Sequence, residues 1–343
     1  MRDPPPGTTV RLGAPCRPPG RRSSISGRTG EVMPPKGWTA DDIQPLAGRT
    51  FVVTGANSGL GLVTAGQLAR HGARVVMAVR DAARGLAAAD SLRAAQPGAS
   101  LEVEPLDLAD LGSVREFAGR LAAGRSLDGL VNNAGIMMPP RRLTAQGHEL
   151  QFGVNHLGHF ALTGLLLDAL RRARDARVVT VSSSLHRSGR IHFDDLTGER
   201  SYQPQRFYAQ SKFANVLFGL ELDRRLRAAG LPVVSLLAHP GYAATNLQTT
   251  GPAGLMNLLG RIGNRLIAQD AAAGARSQLY AATAPDLTGG QFFGPDRLGG
   301  MRGHPTVVRP TPTALDHDLA RRLWDLSERL TGVAYGLPQA AAA

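Results

Sequence analysis

Cysteine, lysine and aromatic residues are what this 343-residue chain has least of, and each shortage excludes something. A lone cysteine, Cys16, cannot close an internal disulfide, and no Cys/His spacing suits a zinc site. Aromatics are 5% of the residues, while Leu, Ala, Val and Gly carry most of an apolar share of 43%. That composition suits thin, repeated strand-and-helix layers better than an aromatic-rich sandwich. No apolar run reaches the roughly 18 residues that span a bilayer. The expectation is a soluble, cytoplasmic protein with no membrane span. Lysine occurs only as Lys36 and Lys212, although Lys and Arg together number 39. Arginine cannot replace lysine where a compact ammonium with an adjustable pKa is needed, so Lys212 marks a candidate site.

The formal charge of +12 raises the question of nucleic acid. The arginines are scattered along predicted helices, as in Arg171, Arg172 and Arg174 or Arg224, Arg225 and Arg227. No aromatic residues interleave with them, so solvated helix faces explain the charge and nucleic acid is not an expected partner.

Residues 1–45 are rich in Pro, Gly, Ser and Arg, lack apolar periodicity, and are expected to be disordered. Arg21-Arg22 is followed by no apolar stretch, which argues against a twin-arginine signal. Met33 is the expected true start. Residues 46–332 are expected to form one domain and residues 333–343 a flexible tail.

From Thr50 onward, short apolar runs alternate with helical spacing. Expected strands are Thr50–Thr54, Arg74–Val79, Leu101–Pro105, Leu127–Val131, Arg177–Val181, Val233–Leu237 and Gln291–Phe293. Strands alternating with helices mean βαβ units, hence an α/β, doubly wound Rossmann fold on a parallel sheet of about seven strands. Leu150–Leu170 and Phe207–Leu226 are apolar nearly all round. Such helices are buried on every side, so a homodimer or homotetramer built on them is expected.

Gly55, Asn57, Ser58, Gly59, Leu60 and Gly61 lie between the first strand and first helix. Glycines there permit a tight turn and let a pyrophosphate approach the helix N-terminus. The spacing Gly-x-x-x-Gly-x-Gly differs from the common dinucleotide fingerprint, and its position after a buried strand carries the reading. Arg80 ends the second strand, where a basic group meets the 2′-phosphate of NADP. Asp81 beside it is either a ribose ligand, which would favour NAD, or a helix cap. NADP is the expected cofactor and NAD the alternative. Asp107 and Leu108, just past the third strand, are candidates for the adenine side, with a second cap as the alternative for Asp107.

Tyr208 and Lys212 are spaced to share one helix face. An ammonium near a phenol favours the phenolate and lowers a pKa that starts near 10. Such a phenol can exchange a proton with an alcohol or carbonyl oxygen. Tyr-x-x-x-Lys alone is weak, and its surroundings supply the specificity. A strand ending in Ser182, Ser183 and Ser184, and another ending in Asn133, Ala134 and Gly135, reach the same carboxyl edge of the sheet. Ligands of doubly wound sheets bind at that edge.

Thr54–Gly61, Asn132–Gly135, Asn155, Val181-Ser-Ser183, Tyr208–Lys212 and Pro240-Gly241 together resemble the short-chain dehydrogenase/reductase family. Val154–Phe160 and Ser211–Leu217 resemble its retinol-dehydrogenase-like and WW-domain-oxidoreductase-like members most. The resemblance implies Tyr208 as general acid/base, with Lys212 lowering its pKa and binding the nicotinamide ribose. It further implies Ser183 on the substrate oxygen and Asn155 holding helix geometry and a relay water. Asn133, Ala134, Gly135, Pro240, Gly241 and Thr245 would lie along the cofactor. The expected function is NADP(H)-dependent interconversion of an alcohol and a carbonyl. Double-bond reduction and a non-catalytic NADP sensor are the alternatives. Apolar residues between Tyr242 and Ile267 suggest a lid over a small apolar substrate. No metal is expected. Asp194-Asp195 has no second acidic cluster, and His156 and His159 lack further ligands.

Overall fold

The computed structural model describes residues 33–122, 124–242 and 270–339. Its strands are β1 (Thr50–Thr54), β2 (Arg74–Val79), β3 (Leu101–Pro105), β4 (Gly129–Asn132), β5 (Ala176–Val181), β6 (Val233–Ala238), β7 (Phe292–Arg297) and β8 (Arg302–Val307). They form one sheet in the order β3-β2-β1-β4-β5-β6-β7-β8. Every neighbouring pair is parallel except β7 and β8, which are antiparallel. The chain order reverses between β1 and β4, which opens a crevice at their carboxyl ends.

The helices are α1 (Gly59–Arg70), α2 (Ala82–Ala95), α3 (Leu111–Ala122), α4 (Gly158–Leu170), α5 (Pro204–Ala228), α6 (Ala271–Thr283) and α7 (His317–Thr331). Alternate strand residues face opposite layers. Val52, Val76, Leu130 and Val178 pack with Phe117, Phe160, Phe218 and Trp324. Phe51, Val53, Val75, Val131 and Val179 pack on the other face with Ala65, Leu68 and Leu279. Strands buried on both faces read as continuous apolar runs, which made β1, β2 and β5 easy to recognise.

Four expectations change. The sheet gains β8, whose sequence Arg-Gly-His-Pro-Thr-Val has no apolar run because β8 is an edge strand. The ordered region begins before residue 46: Trp38 and Ile43 are 6% and 5% exposed. Trp38 meets Tyr280 edge-on at 5.1 Å, and its carbonyl accepts a hydrogen bond from His304 Nδ1 at 3.0 Å. An isolated aromatic carries no periodicity, so the sequence did not flag it. After α7, Val333 and Tyr335 are buried rather than in a tail. The Tyr335 hydroxyl donates to the Phe160 carbonyl at 2.6 Å, and its ring lies 4.6 Å from Trp324. These last residues and α7 cover α4 and α5. The all-apolar helices are therefore buried within one chain and do not by themselves require a second subunit. Residues 1–32, which precede the expected start at Met33, and residues 243–267 of the expected lid lie outside the described residues.

Candidate active site

The β1–α1 turn is built for close approach. Gly55 and Gly59 have φ of +66° and +54°, a region that favours glycine. At Gly61 a Cβ would sit 2.4 Å from the Gly55 carbonyl oxygen and 2.5 Å from Asn133 Nδ2. Ser58 is the N-cap of α1 but makes no side-chain capping bond. No acidic residue stands in the first turn. The donors at this positive helix end are thus left without a side-chain cap or counter-charge, which suits a phosphate. Gly61→Ala should weaken dinucleotide binding by about tenfold and lower stability by about 1–3 kcal/mol, since backbone must move. Calorimetry and thermal melting measure the two, and unchanged affinity would place the pyrophosphate elsewhere.

Asn133 bridges this turn to β4. Its Nδ2 donates to the Thr54 carbonyl at 2.7 Å, and its Oδ1 accepts from Gln278 Nε2 at 3.1 Å. The Asn133 and Ala134 backbone N–H groups donate to Thr54 Oγ1 at 3.0 and 2.9 Å. Gly135 passes so close to the next layer that a Cβ would lie 3.3 Å from Asn155 Oδ1 and 3.4 Å from Lys212 Nζ.

Asn155 is fully buried in a π-helical turn, Gly153–Leu157, just before α4. Such single-turn π segments often mark functional sites. Its Oδ1 accepts from Ile136 N at 2.8 Å. Its Nδ2 donates to the Ile136 carbonyl at 3.0 Å and to Ser211 Oγ at 2.9 Å. Ser211 Oγ donates in turn to the Tyr208 carbonyl at 2.8 Å. Thus Asn155 fixes both the strand-end segment after β4 and the first turns of α5.

Tyr208 and Lys212 are 5% and 3% exposed on that helix. Lys212 Nζ donates to the Val181 carbonyl at the end of β5 at 3.2 Å, and lies 5.8 Å from the Tyr208 ring centre. Burial pushes Lys212 down to about 8. Burial pushes the Tyr208 phenol up to about 12, partly opposed by a hydrogen bond with the Ser183 side chain. The expectation that Lys212 lowers the phenol's pKa is therefore corrected: in the protein by itself desolvation is the larger effect and the pKa is raised. Ser183 also caps a 3-10 turn, its Oγ accepting from Leu185 N at 3.3 Å.

The carboxyl edge of the sheet therefore brings together Asn155, Ser183, Tyr208, Lys212, Gly135 and the glycine turn. Arg80 stands exposed at the end of β2. Asp81 is the N-cap of α2, its carboxylate accepting from Arg84 N at 3.0 Å. Asp107 is half-buried and accepts from Ala109 N at 2.9 Å, a local turn bond. The Leu108 side chain is committed to the core at 6% exposure, leaving only its backbone for a ligand. Pro240 and Gly241 follow β6, with Gly241 N donating to His239 Nδ1 at 3.2 Å. Thr245 lies outside the described residues.

Sequence reasoning missed Gln278 and the network around Gln151. Gln278 comes from α6, 145 residues from Asn133, and has no local signal. Gln151 Oε1 accepts from Met138 N at 2.8 Å, a residue at φ +54°. His156 and His159 do not share a ligand: one meets Ser327 Oγ and the other Thr54 Oγ1, each at 2.9 Å. No cluster of three metal-binding side chains occurs among the described residues.

With that geometry in hand, known proteins supply relatives. The short chain dehydrogenase family model matches residues 49–254. Human retinol dehydrogenase 14 is 42% identical, with 84% of this chain and 88% of the relative covered. Mouse polyprenol dehydrogenase is 43% identical, with 86% and 87% covered. Among solved structures, an uncharacterised protein from Mycobacterium paratuberculosis is 48% identical with a TM-score of 0.74, covering 88% of this chain and 100% of that one. A structure from Beutenbergia cavernae, described as an NAD(P)-dependent gluconate 5-dehydrogenase with NADP at low occupancy, is 30% identical. Its TM-score is 0.55, with 72% of this chain and 95% of that one covered.

Proposed function

The chain belongs to the short-chain dehydrogenase family, and from that premise we propose that it is an NADP(H)-dependent oxidoreductase interconverting an apolar alcohol and its carbonyl compound. The observation that carries the reading is the group of buried Tyr208 and Lys212 with half-buried Ser183 at the carboxyl edge of the sheet, the edge that also carries the β1–α1 glycine turn. The names of the retinol and polyprenol dehydrogenases support an apolar primary alcohol or aldehyde as substrate.

The nicotinamide cofactor supplies or accepts the hydride when bound. Gly55, Gly59 and Gly61 would hold its pyrophosphate, Arg80 its 2′-phosphate, and Asn133, Ala134 and Gly135 its central part. Tyr208, protonated at neutral pH, gives its proton to the carbonyl oxygen during reduction and takes it back during oxidation. Ser183 orients that oxygen by a second hydrogen bond. Lys212, still largely cationic at neutral pH, stabilises the phenolate left behind.

NADP is favoured over NAD by two facts together: Arg80 is exposed where the 2′-phosphate would arrive, and Asp81 is spent as a helix cap. Arg80→Ala should weaken NADPH binding by about 10- to 100-fold, the range for a hydrogen bond to a charged group, and barely alter NADH binding. Fluorescence titration with both cofactors reads this. Equal losses for the two would move the 2′-phosphate contact to another residue.

A further inference from the structure

The segment Asn133–Ile136 is pinned at both ends. Thr54 Oγ1 holds its start through the N–H groups of Asn133 and Ala134. The Asn155 amide holds its end through both backbone groups of Ile136. One side chain bonds the first pin itself and the main-chain carbonyl of the residue that carries the second. His159, 1% exposed on α4, places Nε2 2.9 Å from Thr54 Oγ1 and Nδ1 3.0 Å from the Asn155 carbonyl.

The bonds fix the proton. A carbonyl only accepts, so His159 Nδ1 must carry a hydrogen. Thr54 Oγ1 already accepts two N–H bonds and has one proton of its own to give. It can give that proton to Nε2 at 2.9 Å or to the Val131 carbonyl at 3.3 Å. A second proton on Nε2 would make the ring a cation facing a saturated oxygen. Desolvation opposes that charge, bringing His159 down to about 4, and the positive charge of Lys212 adds to the opposition. A neutral ring leaves Nε2 bare, and Thr54 then donates to it.

We propose that His159, with its proton on Nδ1, is a positioning residue that ties the cofactor-side pin at Thr54 to the proton-transfer pin at Asn155. It touches neither substrate nor cofactor. It acts through Thr54 on Asn133 and Ala134, and through Asn155 on Ile136, Ser211 and the first turns of α5. The kinetic consequences rest on the oxidoreductase reading above, whereas the tautomer and the two hydrogen bonds do not.

Two substitutions separate the pins. His159→Asn can still donate to the carbonyl four residues back but cannot reach Thr54. His159→Gln can present an oxygen to Thr54 while losing the donor to Asn155. In the full-length chain, His159→Asn should raise the KM and Kd for NADPH by about tenfold, more than it lowers kcat. His159→Gln should lower kcat by about tenfold, more than it raises KM. A residue that only fills the core would shift both parameters alike in both variants, and that outcome overturns the proposal. Nitrogen-15 NMR of the wild-type imidazole gives a readout free of activity: Nδ1 protonated and Nε2 bare, unchanged down to about pH 5. The opposite tautomer overturns the proposal. If wild type bound NADPH but turned over no carbonyl compound, the oxidoreductase reading would fall, while the tautomer and the Kd of His159→Asn would still judge His159.

Discussion

Tyr208→Phe is expected to lower kcat for reduction of an apolar aldehyde by about 10²- to 10⁴-fold while NADPH binding stays within about twofold. The ring is buried and would remain so, and only the hydroxyl bonded to Ser183 is lost. The glycine turn and Arg80 lie on other elements, so cofactor affinity should hold. The direction of pH dependence follows from the same phenol. With its pKa pushed up to about 12, Tyr208 stays protonated at neutral pH, so the proton donor is fully populated and the phenolate base is scarce. Reduction should be nearly flat around neutrality, and alcohol oxidation should quicken as pH rises. Retained turnover in the phenylalanine variant would assign proton transfer to another group, with Ser183 the first to test.

Acid should unfold this protein well above the range of carboxylate titration. His156, His159 and His239 are held down to about 3, about 4 and about 3 from an ordinary 6.5, chiefly by burial. Their folded pKa values lie below the unfolded value, so the unfolded chain binds more protons once pH drops below 6.5. The stability they confer is whole above 6.5 and is lost as pH falls toward 4 and then 3. By pH 5 each costs about 2 kcal/mol by linkage. Asp223 works the other way. Burial raises its carboxyl from 3.8 to about 6, which returns about 1 kcal/mol over the same interval. For these four groups together the loss is about 4–5 kcal/mol, comparable with the whole stability of many domains. Melting temperature should therefore fall steeply between pH 7 and pH 5. Replacing His156, whose ring bonds Ser327 Oγ at 2.9 Å, with glutamine should remove about 2 kcal/mol of that fall, nearly half of it. A melting temperature constant over this range would mean that these rings find charge partners in acid.

What the sequence reveals about this molecule depends on how local each cause is. The parallel strands were legible because strands buried on both faces must be continuously apolar. The glycine turn was legible because a tight turn beside a helix N-terminus restricts residue type at fixed spacing. Tyr208 and Lys212 could be paired because one helical turn separates them. Edge strand β8 was not legible, since one-sided burial leaves no apolar run. Trp38 and Tyr335 carry no local signal of their burial because Tyr280 and Phe160, which hold them, are remote in sequence. The pKa of Tyr208 is not legible for a related reason: spacing shows which charge is near, but not how much water burial removes. His159 lay in plain view four residues after Asn155. Its meaning required Thr54, 105 residues earlier, to come within hydrogen-bond distance.

The account is tested most directly by mixing the full-length chain with a long-chain apolar aldehyde and either NADPH or NADH, and following loss of the reduced nicotinamide absorbance. The prediction is aldehyde-dependent consumption of NADPH, at least about tenfold faster than of NADH at equal subsaturating concentration. Tight binding of NADPH with no consumption by any aldehyde or ketone would contradict it, and would leave a cofactor-binding protein that does not reduce carbonyl compounds.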